Sequence, residues 1–212
     1  MHIKVWDLVT RLFHWALVVA VTMSFVSIKF LHNIELHLKF GAIVMTLVIF
    51  RIIWGIAGSS NARFTNFVTG LTAVISYIRQ PTTAKAQSTG HSPLAGWAVL
   101  ALLLGLTIQV ATGLFADDEI YVTGPLAGMV SSDASAWATQ LHYQNSDILL
   151  GLILLHLLAN AFYFFVLKIN LIKPMISGTK NISHVESIKE RPVTAAISLL
   201  LATIICVYVF NR

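Results

Sequence analysis

Two histidines lie fourteen residues apart in one long apolar run of the chain. His142 and His156 both belong to the segment between about residues 136 and 167. Fourteen steps along an α-helix, at about 100° and 1.5 Å each, return a side chain to within roughly 40° of the same face, about 21 Å further on. In a membrane-spanning helix, one histidine would then lie near each edge of a hydrocarbon layer about 30 Å thick. This spacing suits two haems stacked across a membrane, although an interfacial histidine and an unrelated core histidine would give the same pattern.

The composition places the chain in a membrane. Of its 212 residues, 57% are hydrophobic and only 11% are charged, whereas a soluble domain has about 45–50% apolar and about 25% charged residues. We therefore expect a lipid bilayer around the chain and no nucleic-acid partner. The one cysteine, Cys206, excludes an intramolecular disulfide, a cysteine-rich metal site and covalent haem attachment through C-x-x-C-H. Any haem would have to be bound non-covalently, by histidine or methionine.

Five apolar runs are long enough to cross a bilayer. They cover approximately residues 12–28, 36–56, 94–115, 136–167 and 194–210, and the last is close to the minimum length. The sequence thus predicts an all-α integral membrane helical bundle. Residues 64–78 carry apolar side chains at helical spacing but are too polar to cross. They fit either an amphipathic helix on the membrane surface or a loop helix packed against the bundle. Residues 81–92 form a polar linker.

The basic residues are concentrated on one side of the predicted spans. That side carries Lys4, Arg11, Arg51, Arg63, Arg79, Lys85, Lys168, Lys173, Lys180, Lys189 and Arg191, and the other side has only Lys29, Lys39 and Arg212. By the positive-inside rule the basic side is cytoplasmic, so the N-terminus lies inside and the C-terminus in the periplasm of a bacterial inner membrane. The periplasmic side is acidic, with Glu35, Asp117, Asp118, Glu119, Asp133 and Asp147.

Four of the eight histidines lie within the spans or at their ends. Ionisable residues at such positions are rare and usually functional. His14 and His156 fall at the cytoplasmic level of the bundle, whereas His37 and His142 fall at the periplasmic level. We predict an inner b-type haem between His14 and His156, and an outer one between His37 and His142. Two axial imidazoles fill the coordination of a haem iron and favour electron transfer over oxygen binding.

Two basic residues are candidates to bind the haem propionates. Arg51 follows His37 by fourteen residues, so it shares the face of His37 at the level of the inner haem. An arginine at that depth needs an anionic partner, which a propionate would supply. Snorkelling to the lipid headgroups is the alternative. Lys39, beside His37, could serve the outer haem in the same way. The sequence does not locate a quinone site.

Several motifs in order resemble the bacterial di-haem cytochrome b561 proteins, a group that includes the b-type cytochrome subunits of nickel–iron hydrogenases. The matching segments are Val5–Trp15 (VWDLVTRLFHW), Glu35–His37 with Gly41, Arg51–Gly55 (RIIWG), Arg63–Phe64, Gly90–Leu94 (GHSPL), Gly124–Leu126 (GPL) and Lys173–Gly178 (KPMISG), together with His142 and His156. The resemblance implies a four-helix di-haem core over residues 1–178 and the four span histidines as axial ligands. Residues 179–212 would add a cytoplasmic linker and a fifth transmembrane helix.

The leading functional hypothesis is transfer of electrons across the inner membrane between the quinone pool and a periplasmic redox partner. The acidic periplasmic loops favour a partner with a basic face, and the resemblance implies a c-type cytochrome. One alternative is the membrane anchor and electron-transfer subunit of a hydrogenase- or formate-dehydrogenase-like complex. Another is a superoxide:quinone oxidoreductase. A transporter with metal-binding or proton-relaying histidines is also conceivable, but metal ligands must cluster, and these lie on two levels about 20 Å apart.

Overall fold

The computed structural model describes residues 2–79, 90–118, 122–181 and 188–211, except for the side chain of His2. In chain order its helices are α1 (Leu8–Lys29), α2 (Ile34–Ala57), α3 (Phe64–Phe67), α4 (Leu71–Arg79), α5 (Pro93–Phe115), α6 (Ser132–Phe165), α7 (Ile172–Ser177) and α8 (Pro192–Phe210). A 3-10 turn covers Ala127–Met129. Within the described ranges, α1, α2, α5, α6 and α8 are long and apolar enough to cross a membrane. The predicted all-α membrane bundle with five spans is confirmed.

Polar N-caps explain why the spans begin earlier than hydropathy alone predicts. The side chains of Asp7, Asn33, Ser92 and Ser131 each accept a hydrogen bond from a backbone N–H in the first turn of α1, α2, α5 and α6. Such a bond satisfies one of the backbone donors that a helix N-terminus leaves without a partner. The cap is polar, so it lies outside an apolar run. Helix α1 therefore starts at Leu8 rather than near residue 12.

The five long helices form two packed pairs and one added helix. Helix α1 packs against α2, α5 packs against α6, and α8 packs against α2. The two pairs meet in a core whose fully buried members are Ala20, Val44, Val48, Leu106 and Leu149. Helix α8 buries a stripe of small residues, Ala195, Ser198, Ala202 and Cys206. Small side chains let two helices in a membrane approach closely.

The chain segments on the basic side of the bundle are tied together by hydrogen bonds. Strand β1 (His2–Lys4) pairs antiparallel with β2 (Thr179–Asn181). The Asn61 side-chain amide donates to the Val5 carbonyl at 2.8 Å. We call this region the basic end, and the region formed by residues 30–33, 116–118 and 122–131 the acidic end. No membrane is present, so which end faces the cytoplasm stays a prediction, as does the domain boundary at residue 178.

The amphipathic stretch forms two short helices rather than one. Helices α3 and α4 are separated by residues 68–70, where Gly70 favours a break. Phe67 in α3 is buried, and Tyr77 in α4 is hydrogen-bonded to the Tyr163 hydroxyl at 3.0 Å. Both helices thus pack on the bundle, while α4 also exposes Leu71, Ile75 and Ile78. Most of the predicted linker, residues 81–89, lies outside the described residues.

The close packing of α8 on α2 gives a first testable prediction. Ala202 is fully buried, so an Ala202→Leu change should overpack the interface and cost about 1–3 kcal/mol of stability. Thermal unfolding in detergent should show a lower midpoint for this variant. Ala196 is an exposed residue of the same helix, and Ala196→Leu serves as the matched control. Equal midpoints for the two variants would mean that α8 does not pack as described.

Candidate functional site

A cavity of about 410 Å³ lies among α1, α2, α5 and α6, toward the acidic end. Its volume falls within the usual range for small-molecule sites, about 300–1,000 Å³. We call it the outer cavity. Its wall is mostly apolar, and its polar lining residues are Ser24, Lys29, His37, Gln109, Asp118, Thr139, His142, Tyr143 and Ser146. Phe210, the last residue of α8, also lines it, so the fifth long helix contributes to this site.

His37 and His142 face each other across the outer cavity. Their ring centroids are 6.2 Å apart, and their planes are nearly perpendicular at 88°. A metal–imidazole bond is about 2 Å long, so two rings on opposite sides of one metal ion have centroids roughly 6 Å apart. The two histidines come from α2 and α6, which belong to different helix pairs. The fold therefore brings them to a separation at which they could bind one metal ion between them.

Hydrogen bonds fix the orientation of both rings. The His37 Nδ1 lies 2.8 Å from the Ser24 carbonyl oxygen, and the His142 Nδ1 lies 3.0 Å from the Gln109 carbonyl oxygen. A carbonyl oxygen can only accept, so each Nδ1 must carry the hydrogen and donate it. In a neutral imidazole this leaves the lone pair on Nε2. A metal-binding histidine typically has this arrangement, with its second nitrogen donating to a carbonyl or carboxylate.

The Gln109 side chain lies against His142. Its Nε2 is 3.1 Å from the His142 Nε2 and 3.1 Å from the His142 carbonyl oxygen. The amide is held from behind by Asn145, whose Nδ2 donates to the Gln109 Oε1 at 2.6 Å. One lone pair cannot serve both an amide hydrogen and a metal. A metal on His142 therefore requires Gln109 to give up the ring contact, and it could keep the bond to the His142 carbonyl.

Glycines shape the outer cavity at two points. A Cβ atom at Gly113 would lie 2.9 Å from the His142 Cε1, which is closer than real carbon contacts allow. Glycine at this position lets the imidazole lie directly against α5. Gly41 lines the cavity, and a Cβ atom there would meet nothing within 4 Å. The space beside Gly41 could admit the face of a flat ligand.

The second predicted pair lies toward the basic end. His14 and His156 are close enough to interact electrostatically. The His14 ring packs edge-on against Trp15 at 5.1 Å between centroids, and its buried Nδ1 has no hydrogen-bond partner among the described residues. The His156 Nε2 lies 3.2 Å from the Asn160 Nδ2. A buried imidazole nitrogen without a partner is costly, and a ligand site between these two helices would account for it.

The two predicted propionate partners lie in different surroundings. Arg51 is 5% exposed, with its guanidinium carbon 4.8 Å from the centre of the Phe64 ring, and its Nη1 has no hydrogen-bond partner in the described ranges. Lys39 is exposed, and its Nζ lies 2.5 Å from the Glu35 Oε1 one turn earlier in α2. Lys39 does not line the outer cavity, whereas Lys29 does. The structure thus brings Lys29 to the cavity, a residue that the spacing argument does not single out.

His91 is a buried histidine near Arg51. Its ring lies 4.7 Å from Trp6 and 4.3 Å from Phe67, between centroids. Burial, and then the positive charge of Arg51, lower the pKa of His91 to about 3. The imidazole is therefore neutral at physiological pH, and Arg51 carries the positive charge of this cluster.

The contact between Gly113 and His142 gives a second prediction. A Gly113→Val change should push the imidazole away from α5 and out of line with His37, because the added Cβ needs the space of the ring. We expect the variant to lose the predicted outer haem, measured as b-type haem absorbance per chain. Gly128→Ala is the control, since a Cβ atom at Gly128 meets nothing within 4 Å. An unchanged haem content in Gly113→Val would show that this contact does not position His142.

The family described as prokaryotic cytochrome b561 matches residues 5–178, which include α1 to α7 and all four span histidines. Neither the curated proteins nor the solved structures gave a match.

The match covers more than half of the chain and agrees with the motifs from Val5 to Gly178. Helix α8 lies beyond the matched residues. The chain therefore belongs to the prokaryotic cytochrome b561 family, and it is a multi-pass membrane b-type cytochrome of electron transfer.

Proposed function

We propose that the chain binds two b-type haems and carries electrons between the quinone pool and a periplasmic redox partner. The observation that carries this proposal is the geometry of His37 and His142, whose rings face each other at 6.2 Å. Each ring donates its Nδ1–H to a carbonyl and keeps its Nε2 lone pair. In the proposal these two residues bind the outer haem, and His14 and His156 bind the inner one.

The bound haem supplies reversible one-electron chemistry. The chain's own residues supply ligation, orientation and exclusion of water. The two histidines of each pair would hold the iron of one haem, and ligation by two imidazoles would favour electron transfer over binding of a small gas. The mostly apolar wall of the outer cavity would favour a large apolar ligand such as a haem ring over water. The Ser24 and Gln109 carbonyls hold the imidazoles in one tautomer, so the ligands need not reorient when the charge of the site changes.

Arg51 and Lys39 remain proposed partners of the haem propionates. The buried Arg51 guanidinium interacts electrostatically with the Asp7 carboxylate, but its Nη1 has no hydrogen-bond partner among the described residues. A propionate could accept a hydrogen bond from this nitrogen. Lys39 would first have to leave Glu35 to reach a carboxylate in the outer cavity. Lys29 already lines that cavity and is a further candidate for the same role.

The charge distribution supports a periplasmic partner with a basic face. Asp133 and Asp147 are exposed on α6, on the part of the helix that lies nearer the acidic end. If that end faces the periplasm, as the positive-inside rule predicts, it would attract a basic protein such as a c-type cytochrome. Electrons would then enter or leave through the outer site, and the quinone would react toward the basic end of the bundle.

Haem quantification tests the di-haem proposal directly. The purified wild-type chain should contain about two b haems with the low-spin spectrum of bis-histidine ligation. His37→Ala and His142→Ala should each remove the same haem, and the double variant should remove no more than either alone. His14→Ala and His156→Ala should together define the other haem.

His32 provides a control, because it lies at a turn outside the helices with a positive φ of 49°. His32→Asn should keep both haems, since asparagine tolerates this backbone conformation. One haem in the wild-type chain, or loss of different haems in His37→Ala and His142→Ala, would contradict the proposed ligand pairs.

Salt dependence tests the partner. The rate of electron exchange with a basic c-type cytochrome should fall as ionic strength rises, because exposed charges are screened beyond about 8 Å at 0.15 M salt. The double variant Asp133→Asn, Asp147→Asn should show a slower rate and a weaker salt dependence. Glu190→Gln, at the basic end, is the control and should not change the rate. A salt-independent rate, with stable co-purification of a large metalloenzyme, would favour the membrane-anchor alternative.

A further inference from the structure

Helix α8 lies outside the residues that match the family, yet it reaches the outer cavity. The match ends at residue 178, whereas α8 covers Pro192–Phe210. Phe210, in the last turn of α8, lines the same cavity as His37 and His142. The chain thus adds to this cavity a piece of wall that the matched residues do not supply.

Two hydrogen bonds define the register of α8 against α2. At the start of α8, the Arg191 Nη1 donates to the Ala57 carbonyl at 3.4 Å. Near its other end, the Cys206 thiol donates to the Ala42 carbonyl at 3.3 Å. Between these two bonds the chain advances fifteen residues along α8 and goes back fifteen residues along α2. The two helices therefore run antiparallel and stay in step over this length.

The same register places Phe210 close to the level of His37. Phe210 follows Cys206 by four residues along α8. On α2, Leu38 precedes Ala42 by four residues. The rise per residue is the same in both helices, so Phe210 lies at the level of Leu38, one residue from His37. Leu38 and His37 both line the outer cavity, which agrees with this position of Phe210.

Side-chain size changes along the buried face of α8. The buried residues of this helix are small: Ala195, Ser198, Ala202 and Cys206. Small side chains let the backbones of α8 and α2 approach closely. Phe210 continues this face one turn after Cys206, because residues four apart on a helix are neighbours on its surface. A large ring at the end of a closely packed interface can extend past α2, and Phe210 does line the cavity that α2 borders.

The last turn of α8 directs Phe210 inward. Phe210 is half-buried, whereas Val207 and Tyr208 in the same turn are 54% and 57% exposed. An aromatic ring offers a large apolar area and packs well on the face or edge of another flat ring. A flat ligand held by His37 and His142 would therefore have an apolar ring to pack against on the α8 side of the cavity.

We propose that Phe210 is a positioning residue for the ligand of the outer cavity, and that the register of α8 on α2 holds it there. The ligand class is a flat, apolar macrocycle bound between His37 and His142. This inference rests on the proposed function, because the macrocycle is the outer haem. It adds α8 to a cavity whose other helical walls are α1, α2, α5 and α6. Phe210 covers the ligand on the α8 side, so removal of its ring opens a route by which the ligand can leave.

Haem retention tests the role of Phe210. Transfer of haem from the purified full-length chain to an excess of apomyoglobin can be followed by absorbance. In Phe210→Ala the outer haem should transfer about tenfold faster, because a buried aromatic contact is lost, and the inner haem should transfer at the wild-type rate. The haem lost first should be the one that His142→Ala lacks. Phe210→Leu keeps most of the apolar volume and should restore most of the retention, and Val207→Ala is the control in the same turn.

The outcomes separate this inference from the proposed function. A wild-type rate of outer-haem transfer in Phe210→Ala would overturn the inference. Equally faster loss of both haems would also overturn it, because the ring would then stabilise the whole bundle rather than one site. A wild-type chain with fewer than two haems would instead overturn the proposed function.

A cross-link tests the register of α8 without any haem. Ala42→Cys places a second thiol beside Cys206, whose own thiol already lies against the Ala42 carbonyl. Oxidation with copper phenanthroline should join the two cysteines, detected by mass spectrometry of the linked peptides. Ile43→Cys is the control, because Ile43 is 46% exposed and lies about 100° further around α2. No cross-link in Ala42→Cys, or an equal yield in both variants, would refute the register that brings Phe210 to the cavity.

Discussion

The outer cavity depends on two hydrogen bonds from imidazole to backbone carbonyls. Each bond joins a histidine to the helix with which its own helix is paired: His37 of α2 to Ser24 of α1, and His142 of α6 to Gln109 of α5. A carbonyl oxygen in a helix has two lone pairs, and only one of them is used by the helical N–H. The helices can therefore accept a hydrogen bond from the imidazole without breaking a helical hydrogen bond. Each helix pair thus orients the ring of one histidine through its own contacts. The site lies where the pairs face each other.

This arrangement requires α5 and α6 to approach closely. Gly105 and Gly113 both lie under side chains of α6, at Leu149 and His142. Between them, Asn145 is buried and donates to the Gly105 carbonyl at 2.9 Å. A buried amide in an apolar interface costs free energy unless it is hydrogen-bonded, so its partners restrict the register of the two helices. The same register that satisfies Asn145 places His142 over Gly113.

The parts of the fold and site that the sequence predicts correctly are those set by local geometry. Five apolar runs give five spans because bilayer thickness fixes helix length. The fourteen-residue spacing of His142 and His156 predicts a common face of α6 from the constant helical pitch, and that common face stays a prediction. The level pairing of His37 with His142 follows from topology, and the structure brings these two rings together. The ligand roles themselves stay a proposal.

The details that the sequence could not supply depend on tertiary contacts. Every residue has a backbone carbonyl, so the sequence does not reveal that Ser24 and Gln109 supply the acceptors for the two imidazoles. Lys29 reaches the outer cavity and Lys39 does not, because Lys39 shares a face of α2 with Glu35 and pairs with it.

The two ends of the bundle also differ in the hydrogen bonding of their buried polar atoms, and this difference depends on tertiary contacts as well. The buried polar atoms without partners in the described ranges, Arg11 Nε, His14 Nδ1, Arg51 Nη1, Thr69 Oγ1 and His91 Nδ1, all lie toward the basic end. Each such atom costs desolvation free energy. A ligand that formed hydrogen bonds with them would therefore stabilise the basic end of the fold, whereas both histidine rings of the outer cavity already have hydrogen-bond partners.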